Sequence, residues 1–287
     1  GRQGPQACYG GVRIVPSAPM TTELHSLLPR IQAIAQAAGR EISRIYSTAF
    51  AVETKADNSP LTAADRAAHD TIAEALARLT PGIPLWSEES ATIPWETRRH
   101  WSEFWLVDPL DGTREFIKRN GEFTVNIALV HDHRTVLGVV HAPVLGRDYS
   151  GHVGGAAQRT DPGQTPRDIR VRQPASPPVR VAGSRSHRGA SLDVFLEQLS
   201  AHEFVSMGSS LKFCLVAEGT ADVYPRLGPT SEWDTAAAQA VLEAAGGRVI
   251  DLAGQPLRYN TRAEVLNPHF LASGDPGRDW LALLHSR

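Results

Sequence analysis

A pair of carboxylates at the end of an apolar strand constrains this chain more than any other feature. Residues 105–113 read Trp-Leu-Val-Asp-Pro-Leu-Asp-Gly-Thr, which places Asp108 and Asp111 three residues apart. Two aspartates held so close repel each other, and a cation between them offsets the cost. Carboxylates and backbone carbonyl oxygens are the ligands of a hard ion such as Mg²⁺. The alternative is a solvated acidic turn that caps a helix, and this stretch alone leaves the two interpretations evenly matched.

The residues that follow this pair favour the binding of a phosphate group. Gly112 allows the backbone to turn tightly, so that the next N–H groups can begin a helix. The first N–H groups of a helix have no partner within it and are available to an anion. The sequence therefore predicts a phosphate-binding turn at Gly112 and Thr113, beside the paired acids.

Other acidic residues stand at the borders of predicted elements. Glu88 and Glu89 follow a short predicted strand. Asp234 is predicted to cap one helix, and Asp65 falls in the first turn of another. Taken singly, these residues are explained by an exposed acidic loop, a helix cap and a favourable interaction with the helix dipole.

The spacing of apolar residues predicts a layered α/β fold of the α+β kind. Apolar positions at helical spacing indicate helices over 29–46, where Pro29 fits the first turn, and over 62–79, where Thr62 can act as the cap. Short apolar stretches predict strands at 83–86 and 104–107, and enrichment in β-branched residues predicts further strands at 123–130 and 136–142. We therefore expect the first half of the chain to pack helices against an antiparallel sheet.

The second half of the chain has a different pattern. Gly and Pro residues interrupt any period between about 145 and 168, which predicts a loose connection. We place the boundary near residue 150, between an N-terminal half at 20–150 and a C-terminal half at 151–287. Beyond it, alternating strands and helices predict a mixed α/β layer. These elements are expected at 179–182, 188–199, 203–206, 210–218, 222–226, 234–245 and 247–251.

The composition is that of an ordinary globular protein. Hydrophobic residues make up 41% of the 287, and no apolar run is long enough to cross a bilayer. Residues 1–19 lack the apolar centre of a secretory signal, and we expect a disordered tail with Met20 as a candidate native start. Cys8 and Cys214 do not suggest a disulfide framework, and Cys214 lies in an apolar stretch typical of a buried thiol. We expect a reducing, cytoplasmic compartment, with peripheral association at the inner face of the membrane left open.

The charge balance argues against a long nucleic acid as the partner. The formal net charge is −2, and basic clusters such as Arg98-Arg99 are short. A nucleic-acid polymer calls for a basic stripe, and a single strand calls for aromatic side chains along it. An anionic substrate must therefore be held by a local site or by metal ions, and a two-metal nuclease is disfavoured.

Taken together, the acidic segments resemble the signature of the inositol monophosphatase-like family of Mg²⁺-dependent, lithium-sensitive phosphatases. That signature reads apolar-Asp-Pro-apolar-Asp-Gly-Thr, preceded by Glu-Glu and followed far downstream by Trp-Asp. The matching residues stand in the same order at 88–89, 107–113 and 233–234. The resemblance covers the chain from about residue 22 and is closest to a bacterial bisphosphate nucleotidase branch, through the stretches 55–60, 116–129 and 208–219. It implies a layered αβαβα fold.

The resemblance also implies a set of metal ligands. By similarity, Glu88, Asp108 and the backbone carbonyl of Leu110 hold a first Mg²⁺. Asp108 bridges to a second ion, which Asp111 and Asp234 complete. Two or three Mg²⁺ ions are expected in all.

Catalytic roles follow from the same resemblance. Asp65 orients the hydroxyl of Thr113, which positions the attacking water, and Glu88 acts with them. A hydroxyl alone is too weak a base, so the metal ions must do most of the activation. Glu89 is expected to support Glu88 or a bound water from outside the ligand shell.

Further residues are implied for the substrate. Related nucleotidases bind the nucleotide through a His after a Ser-rich turn, a Ser-x-x-Lys and a downstream Arg, and the matching positions are His187, Ser209, Lys212 and Arg226. A second, non-reacting phosphate needs cations fixed at a distance from the metal ions. The alternatives are a loop histidine, a solvated lysine and an edge-strand arginine. Other expected substrate contacts are Asp111, Gly112, Thr113 and Asp234.

The activity implied by the resemblance is that of a phosphomonoesterase. It would convert 3′-phosphoadenosine 5′-phosphate to AMP and phosphate within sulfur metabolism, with the 5′-phosphosulfate as a related candidate substrate. The metal ligands cannot choose the substrate, since sister branches act on inositol monophosphates and sugar bisphosphates. A binding protein without turnover is disfavoured because every implied ligand is present. The oligomeric state is left open.

Overall fold

Two long helices form one outer layer of the molecule. The computed structural model describes residues 18–48, 59–90, 92–184 and 189–285. Helix α1 spans Ala18–Tyr46 and helix α2 spans Pro60–Leu79. Most of the predicted tail, residues 1–17, lies outside the described residues.

Helix α1 begins well before its predicted start at Pro29, which lies inside the helix. The buried face explains the difference, because Leu24 and Leu28 continue the apolar stripe of Ile31 and Ala35 upstream. A proline that fits a first turn therefore marked the wrong boundary.

Helix α2 begins two residues before its predicted start. The hydroxyl of Ser59 accepts a 3.2 Å hydrogen bond from the backbone N–H of Thr62, so Ser59 is the cap and Pro60 occupies the first position. The prediction that Thr62 caps the helix was wrong, and Asp65 lies in the second turn rather than the first.

A seven-stranded sheet packs against these helices. Its strands β1 to β7 lie in chain order, with β1 parallel to β2 and every later pair antiparallel. They span Leu85–Ser87, Glu103–Asp111, Thr124–His131, Arg134–Ala142, Arg147–His152, Ala157–Thr160 and Arg167–Ile169. Two short helices, α3 at Trp95–Arg98 and α4 at Thr113–Lys118, flank β2. The predicted packing of helices on an antiparallel sheet is confirmed.

The loose connection predicted for 145–168 is wrong, because β5, β6 and β7 occupy half of it. Gly154 and Gly163 stand in the turns between these strands with φ of 79° and 70°. Strands of four and three residues are too short to show a period of their own between such turns. The first sheet thus continues past residue 150, and the division of the chain near that position stays a prediction.

A five-stranded mixed sheet forms the second β layer. In its order β11-β12-β10-β8-β9, β8 is parallel to β9 and β10, while β12 is antiparallel to β10 and β11. Strands β8 to β12 span Val179–Gly183, His202–Ser206, Val223–Arg226, Arg248–Asp251 and Phe270–Ser273. Helices α5 to α8 span Ala190–Glu197, Leu211–Ala217, Glu232–Ala244 and Ala282–His285. The alternation predicted for this half is confirmed, whereas β12 and α8 were not predicted.

Helices α6 and α7 lie between the two sheets and complete five layers. They share one core with both sheets, and separate cores lie beneath α1 and α2 and beneath α5 and α8. Helix α7 approaches the first sheet closely at Gly138, where an added Cβ would overlap the carbonyl oxygen of Ala237. The αβαβα layering is confirmed. Cys214 is buried in the central core as predicted, and Cys8 lies outside the described residues. Within the described segments, every helix is too short or too polar to span a bilayer.

Candidate metal centre

Three carboxylates from two separate elements converge at the end of β2. Oxygens of Asp108, Asp111 and Asp234 all lie within 4.8 Å of one another, a spacing that one cation can bridge. The first two come from the end of β2, and Asp234 comes from the first turn of α7. The structure thus brings together three of the ligands expected from the sequence.

A bulge in β2 explains how both of its aspartates reach one place. In a regular strand, residues three apart point to opposite faces of the sheet. The pairing of β2 with β3 is regular from Glu103 to Asp108 and shifts before Asp111, which adds the residue needed to turn both acids the same way. Within the bulge Pro109 has no N–H, and the N–H of Leu110 donates a 3.1 Å hydrogen bond to Oδ1 of Asp108.

Asp234 is oriented by the start of α7. It is the third residue of the helix rather than the predicted cap, because Glu232 and Trp233 are already helical and Ser231 takes the cap position. The N–H of Ser231 donates a 2.8 Å hydrogen bond to Oδ2 of Asp234. This bond holds the carboxylate in a fixed direction.

The carboxylates raise one another's pKa. Burial, and then the neighbouring charges with that of Glu88 first, hold the pKa of Asp108 well above its usual value. Burial and the charge of Asp234 raise the pKa of Asp111 to about 7. Burial, with a contribution from Glu88, raises the pKa of Asp234 to about 6. Near neutral pH the centre must therefore hold protons, hold a cation or bear strong repulsion.

The donor set fits a hard divalent cation. The convergent groups and Glu88 all offer oxygen, and the described residues that line the surrounding cleft include no Cys or His. A bound cation would relieve the repulsion that raises these pKa values. The residues present thus suit the metal dependence of the family that the sequence resembles.

A buried hydrogen-bond network holds Asp111 against α6. The N–H of Ser210 donates to Oδ2 of Asp111 at 2.6 Å, and Nδ2 of Asn126 reaches the same oxygen at 3.5 Å. The hydroxyls of Ser210 and Thr124 donate to Oδ1 of Asn126 at 2.9 and 3.0 Å. Sequence reasoning missed this role of Ser210, Asn126 and Thr124, because they come from separate segments and belong to no acidic motif.

The carboxylates line a cleft of about 280 Å³. Predicted site residues that also line it are Glu88, Leu110, Gly112, Thr113, Ser209, Lys212 and Arg226. Lining residues without a predicted role include Arg114, Glu115, Ser184, Ser210, Tyr224, Thr230 and Thr235. Most of the second group could be found only once the fold had brought their segments together.

Lys212 is a buried cation beside the carboxylates. Its residue is 5% exposed, and its Nζ lies 3.4 Å from the carbonyl oxygen of Met207 and 5.4 Å from the centre of the Tyr224 ring. Burial, together with the charge of Arg226 and against that of Asp111, lowers the pKa of Lys212 to about 8. The alternative of a solvated lysine is therefore wrong.

Two polar atoms in the cleft wall are buried without a hydrogen-bond partner among the described residues. They are Nε of Arg226, at the end of β10, and Oγ of Ser209. Ser209 also has a φ of 49°, a region that residues other than glycine seldom adopt. Buried polar atoms are normally paired, so these two are natural contacts for a polar ligand in the cleft.

Three predicted residues are not among those found to line the cleft. Asp65 is buried within α2, Glu89 lies in the turn after β1, and His187 falls outside the described residues. Helix α2 packs against α4, which begins at Thr113, so Asp65 lies on the helix adjacent to that of its expected partner. The pairing of Asp65 with Thr113 stays a prediction.

A second cavity, of about 340 Å³, adjoins the cleft and shares Ser184, Tyr224 and Arg226 with it. Leu192 and Leu227 contribute to its wall, together with glycine, serine and proline residues. Arg226 thus lies between a strongly acidic cleft and a more apolar space. That arrangement suits a ligand with phosphate at one end and an aromatic or apolar group at the other.

This chain is similar to known proteins along most of its length. The profile of the Inositol monophosphatase family matches residues 23–277. The 3′(2′),5′-bisphosphate nucleotidase CysQ of Escherichia coli O157:H7 is 53% identical over 249 residues, covering 86% of this chain and 99% of that protein. The CysQ nucleotidase of Haemophilus influenzae is 38% identical over 265 residues, covering 92% and 98%.

Solved structures show the same likeness. CysQ from Bacteroides thetaiotaomicron, a bacterial member of the inositol monophosphatase family, matches with a TM-score of 0.79 at 39% identity, covering 89% of this chain and 98% of that one. An inositol monophosphatase from Zymomonas mobilis, at 22% identity and a TM-score of 0.73, covers 94% of this chain and shares the fold. The family signature, the layered fold and the convergent carboxylates all lead to one assignment. The chain belongs to the inositol monophosphatase family.

Proposed function

We propose that this chain is a Mg²⁺-dependent 3′(2′),5′-bisphosphate nucleotidase that converts 3′-phosphoadenosine 5′-phosphate to AMP and phosphate. The observation that carries the proposal is one cleft lined both by three convergent carboxylates and by the cations Lys212 and Arg226. The carboxylates suit a reacting phosphate held through metal ions, and the cations suit a second phosphate that does not react. The names of the relatives from Escherichia coli and Haemophilus influenzae support the same substrate class.

The proposed metal ligands are the side chains of Glu88, Asp108, Asp111 and Asp234 and the backbone carbonyl of Leu110. The all-oxygen donor set supports Mg²⁺ over softer ions. When bound, Mg²⁺ supplies an activated water and stabilises charge on the phosphoryl and leaving oxygens. The expectation of two or three ions comes from the family resemblance.

The chain's own groups are proposed to position the reactants. Asp65 orients the hydroxyl of Thr113, which accepts a hydrogen bond from the attacking water. The backbone N–H groups of Gly112 and Thr113 bind phosphoryl oxygens individually, since α4 has only six residues and adds little dipole. In the hydrolysis the water oxygen forms a bond to phosphorus while the bond between phosphorus and the 3′ oxygen breaks, and that 3′ oxygen gains the proton that the water loses.

Lys212 and Arg226 are proposed to bind the 5′-phosphate. A pKa of about 8 leaves Lys212 largely protonated at neutral pH, and a bound phosphate would raise that pKa. Two further atoms, Nε of Arg226 and Oγ of Ser209, lack a hydrogen-bond partner among the described residues and can bind the same phosphate. His187 is assigned to the same phosphate from the family resemblance alone.

The nucleoside is proposed to extend into the adjoining cavity. Tyr224 lines both spaces, and Leu192 and Leu227 give the adjoining cavity apolar contact for a base. The net charge of −2 favours a small nucleotide over a polymer. The buried thiol of Cys214 and the low cysteine content favour a reducing compartment such as the cytoplasm.

Phosphate release from three substrates, assayed side by side with Mg²⁺, tests the proposal. We expect strong preference for 3′-phosphoadenosine 5′-phosphate over inositol 1-phosphate and fructose 1,6-bisphosphate. Preference for either of the others would keep the metal centre but remove the roles given to Lys212 and Arg226. No release from any of them would favour a binding protein.

A further inference from the structure

A buried arginine lies beside the segments that carry two of the proposed metal ligands. Arg98, the last residue of α3, is only 3% exposed. Its Cζ lies 4.2 Å from the centre of the Trp86 ring and 4.9 Å from that of the Trp95 ring. The guanidinium therefore packs on two aromatic faces, where burial strengthens the attraction.

The same guanidinium is hydrogen-bonded to the segment between β11 and β12. Its Nη1 donates to Oδ1 of Asn260 at 2.7 Å and to the carbonyl oxygen of Arg262 at 3.2 Å, and its Nη2 donates to the carbonyl oxygen of Ala263. Nδ2 of Asn260 donates a 2.6 Å hydrogen bond back to the carbonyl oxygen of Arg98. Arg98 and Asn260 are thus joined by two hydrogen bonds, and each residue donates one of them.

The Trp86 ring, which packs against Arg98, connects the segments that carry the proposed ligands Glu88 and Asp234. Trp86 lies two residues before Glu88 in the chain. Its ring meets that of Trp233 edge to face, with centres 5.9 Å apart and planes at 84°. Trp233 directly precedes Asp234, so this ring pair joins the end of β1 to the first turn of α7.

Asn260 provides a second connection to α7. It is fully buried with a φ of 54°, and its backbone N–H donates a 2.8 Å hydrogen bond to Oε2 of Glu232. Glu232 is the first residue of α7 and is 1% exposed. One guanidinium therefore reaches the start of α7 by two routes, through Trp86 and through Asn260.

We propose that Arg98 is a positioning residue for the metal centre, holding Glu88 and Asp234 at the separation that the metal ions require. The inference rests on the proposed metal-dependent function. The two carboxylates come from different layers and repel each other until a cation binds, so their segments need support that does not depend on that cation. Arginine suits this place because its planar fork both stacks and donates several hydrogen bonds, which lysine does not reproduce.

The test compares Arg98→Lys with Arg99→Lys. Arg99 is the next residue in the chain, exposed and paired at the surface with Glu96, so its substitution is a matched control. The first readout is the rise in Tm when Mg²⁺ is titrated into the substrate-free protein. The second is the Mg²⁺ concentration that gives half-maximal phosphate release from 3′-phosphoadenosine 5′-phosphate, with KM for that nucleotide measured at saturating Mg²⁺.

In Arg98→Lys we expect the Mg²⁺ concentration needed for the rise in Tm, and that needed for half-maximal phosphate release, both to increase about tenfold or more. That range is typical of groups that orient metal ligands. KM for the nucleotide at saturating Mg²⁺ should stay within about twofold, and Arg99→Lys should behave as the wild type. Asn260→Gly keeps the left-handed backbone and removes only the amide contacts, so it should shift the Mg²⁺ requirement in the same direction. If Arg98→Lys does not fold, Asn260→Gly tests the inference in its place.

Two outcomes separate this inference from the function on which it rests. Variants with lower Tm but an unchanged Mg²⁺ requirement would show that Arg98 only stabilises the fold, which overturns the inference. A wild-type protein that neither gains Tm with Mg²⁺ nor releases phosphate would overturn the proposed function, and the inference with it.

Discussion

The backbone N–H of Ser210 donates a 2.6 Å hydrogen bond to the carboxylate of Asp111, and this bond joins α6 to the metal centre. Lys212, the cation proposed for the second phosphate, lies two residues further along the same segment. A displacement of α6 would therefore move the proposed phosphate-binding cation and disturb the proposed metal ligand Asp111 together.

Asp111→Asn should abolish turnover and leave the fold intact. The substitution removes one of the charges that repel each other, so the metal-free variant should be at least as stable as the wild type. Loss of a direct ligand should lower kcat/KM by more than roughly 100-fold, since even supporting groups around metal sites cost 10–100-fold. Steady-state kinetics and thermal unfolding measure the two effects.

Asp132→Asn is the matched control for that variant. Asp132 allows the same replacement of a carboxylate by an amide in an exposed hairpin turn, where its side chain is 72% accessible. Its kinetics should equal those of the wild type. Near-full activity in Asp111→Asn would show that the ligand assignment is wrong.

The metal-free protein should lose stability as pH rises from about 5 to about 8. The folded pKa values, about 7 for Asp111 and about 6 for Asp234, stand above the ordinary value of 3.8. Protonation of these groups therefore favours the folded state, and this contribution is complete below the unfolded pKa and disappears as pH rises through the folded values. Tm measured with a chelator across this range gives the slope.

Mg²⁺ should oppose this loss of stability. Because the cation competes with protons for the same oxygens, it should raise Tm more at about pH 8 than at about pH 5.5. Asp111→Asn should show a shallower dependence of Tm on pH in the chelated state. A wild-type Tm that is independent of pH and of Mg²⁺ would contradict the electrostatic account.

Lys212→Ala should raise KM for the bisphosphate more than KM for a nucleoside 3′-monophosphate. The lost contact is a charge-assisted hydrogen bond to the phosphate that only the bisphosphate carries, worth about 1.5–3 kcal/mol or roughly 10–100-fold. Because both substrates are tested on one variant, a general loss of folding affects them equally. Equal increases in KM would remove Lys212 from the second-phosphate site.

Ser210→Ala should distinguish the role of the Ser210 hydroxyl from that of its backbone N–H. The hydroxyl is one of two donors to Asn126, and its loss should lower the free energy of unfolding by about 1 kcal/mol. The backbone donor to Asp111 remains, so kcat should change little. Denaturant unfolding and kinetics measure the two effects.

Asn126→Ala gives the contrasting result for the same network. It removes the acceptor that the hydroxyls of Ser210 and Thr124 share. These hydroxyls lie 2.9 Å apart, so one can still donate to the other while the second loses its acceptor, and the variant should lose about 1–3 kcal/mol of unfolding free energy. Abolished turnover in Ser210→Ala would show that the hydroxyl, rather than the N–H, positions Asp111.

The acidic residues could be located from the sequence because each stands in a short local motif. Asp108, Asp111 and Asp234 each follow or begin an element whose apolar pattern is clear, and the structure brings them within 4.8 Å of one another. The bulge that turns Asp108 and Asp111 the same way could not be read from the chain, because it depends on the pairing of β2 with β3. Spacing alone would have put them on opposite faces.

Residues that act through contacts between distant segments could not be predicted. Asn126 and Ser210 are ordinary polar residues until β3 and α6 meet, and Arg98 stands in a cluster that resembles a solvated surface. The boundary errors have a local cause instead. Pro29 fits the first turn of a helix, and the glycines near Gly154 conceal strands of only a few residues.

Arg226 belongs to the second sheet and Lys212 to α6, whereas the carboxylates belong to the first sheet and α7. The parts proposed to choose the ligand and the parts proposed to perform hydrolysis are therefore encoded in separate stretches of chain. Sequence change along β10 or in the adjoining cavity can alter which molecule is bound while the hydrolytic geometry survives. Such a division gives a single architecture a route to new specificities by mutation in and around the second sheet.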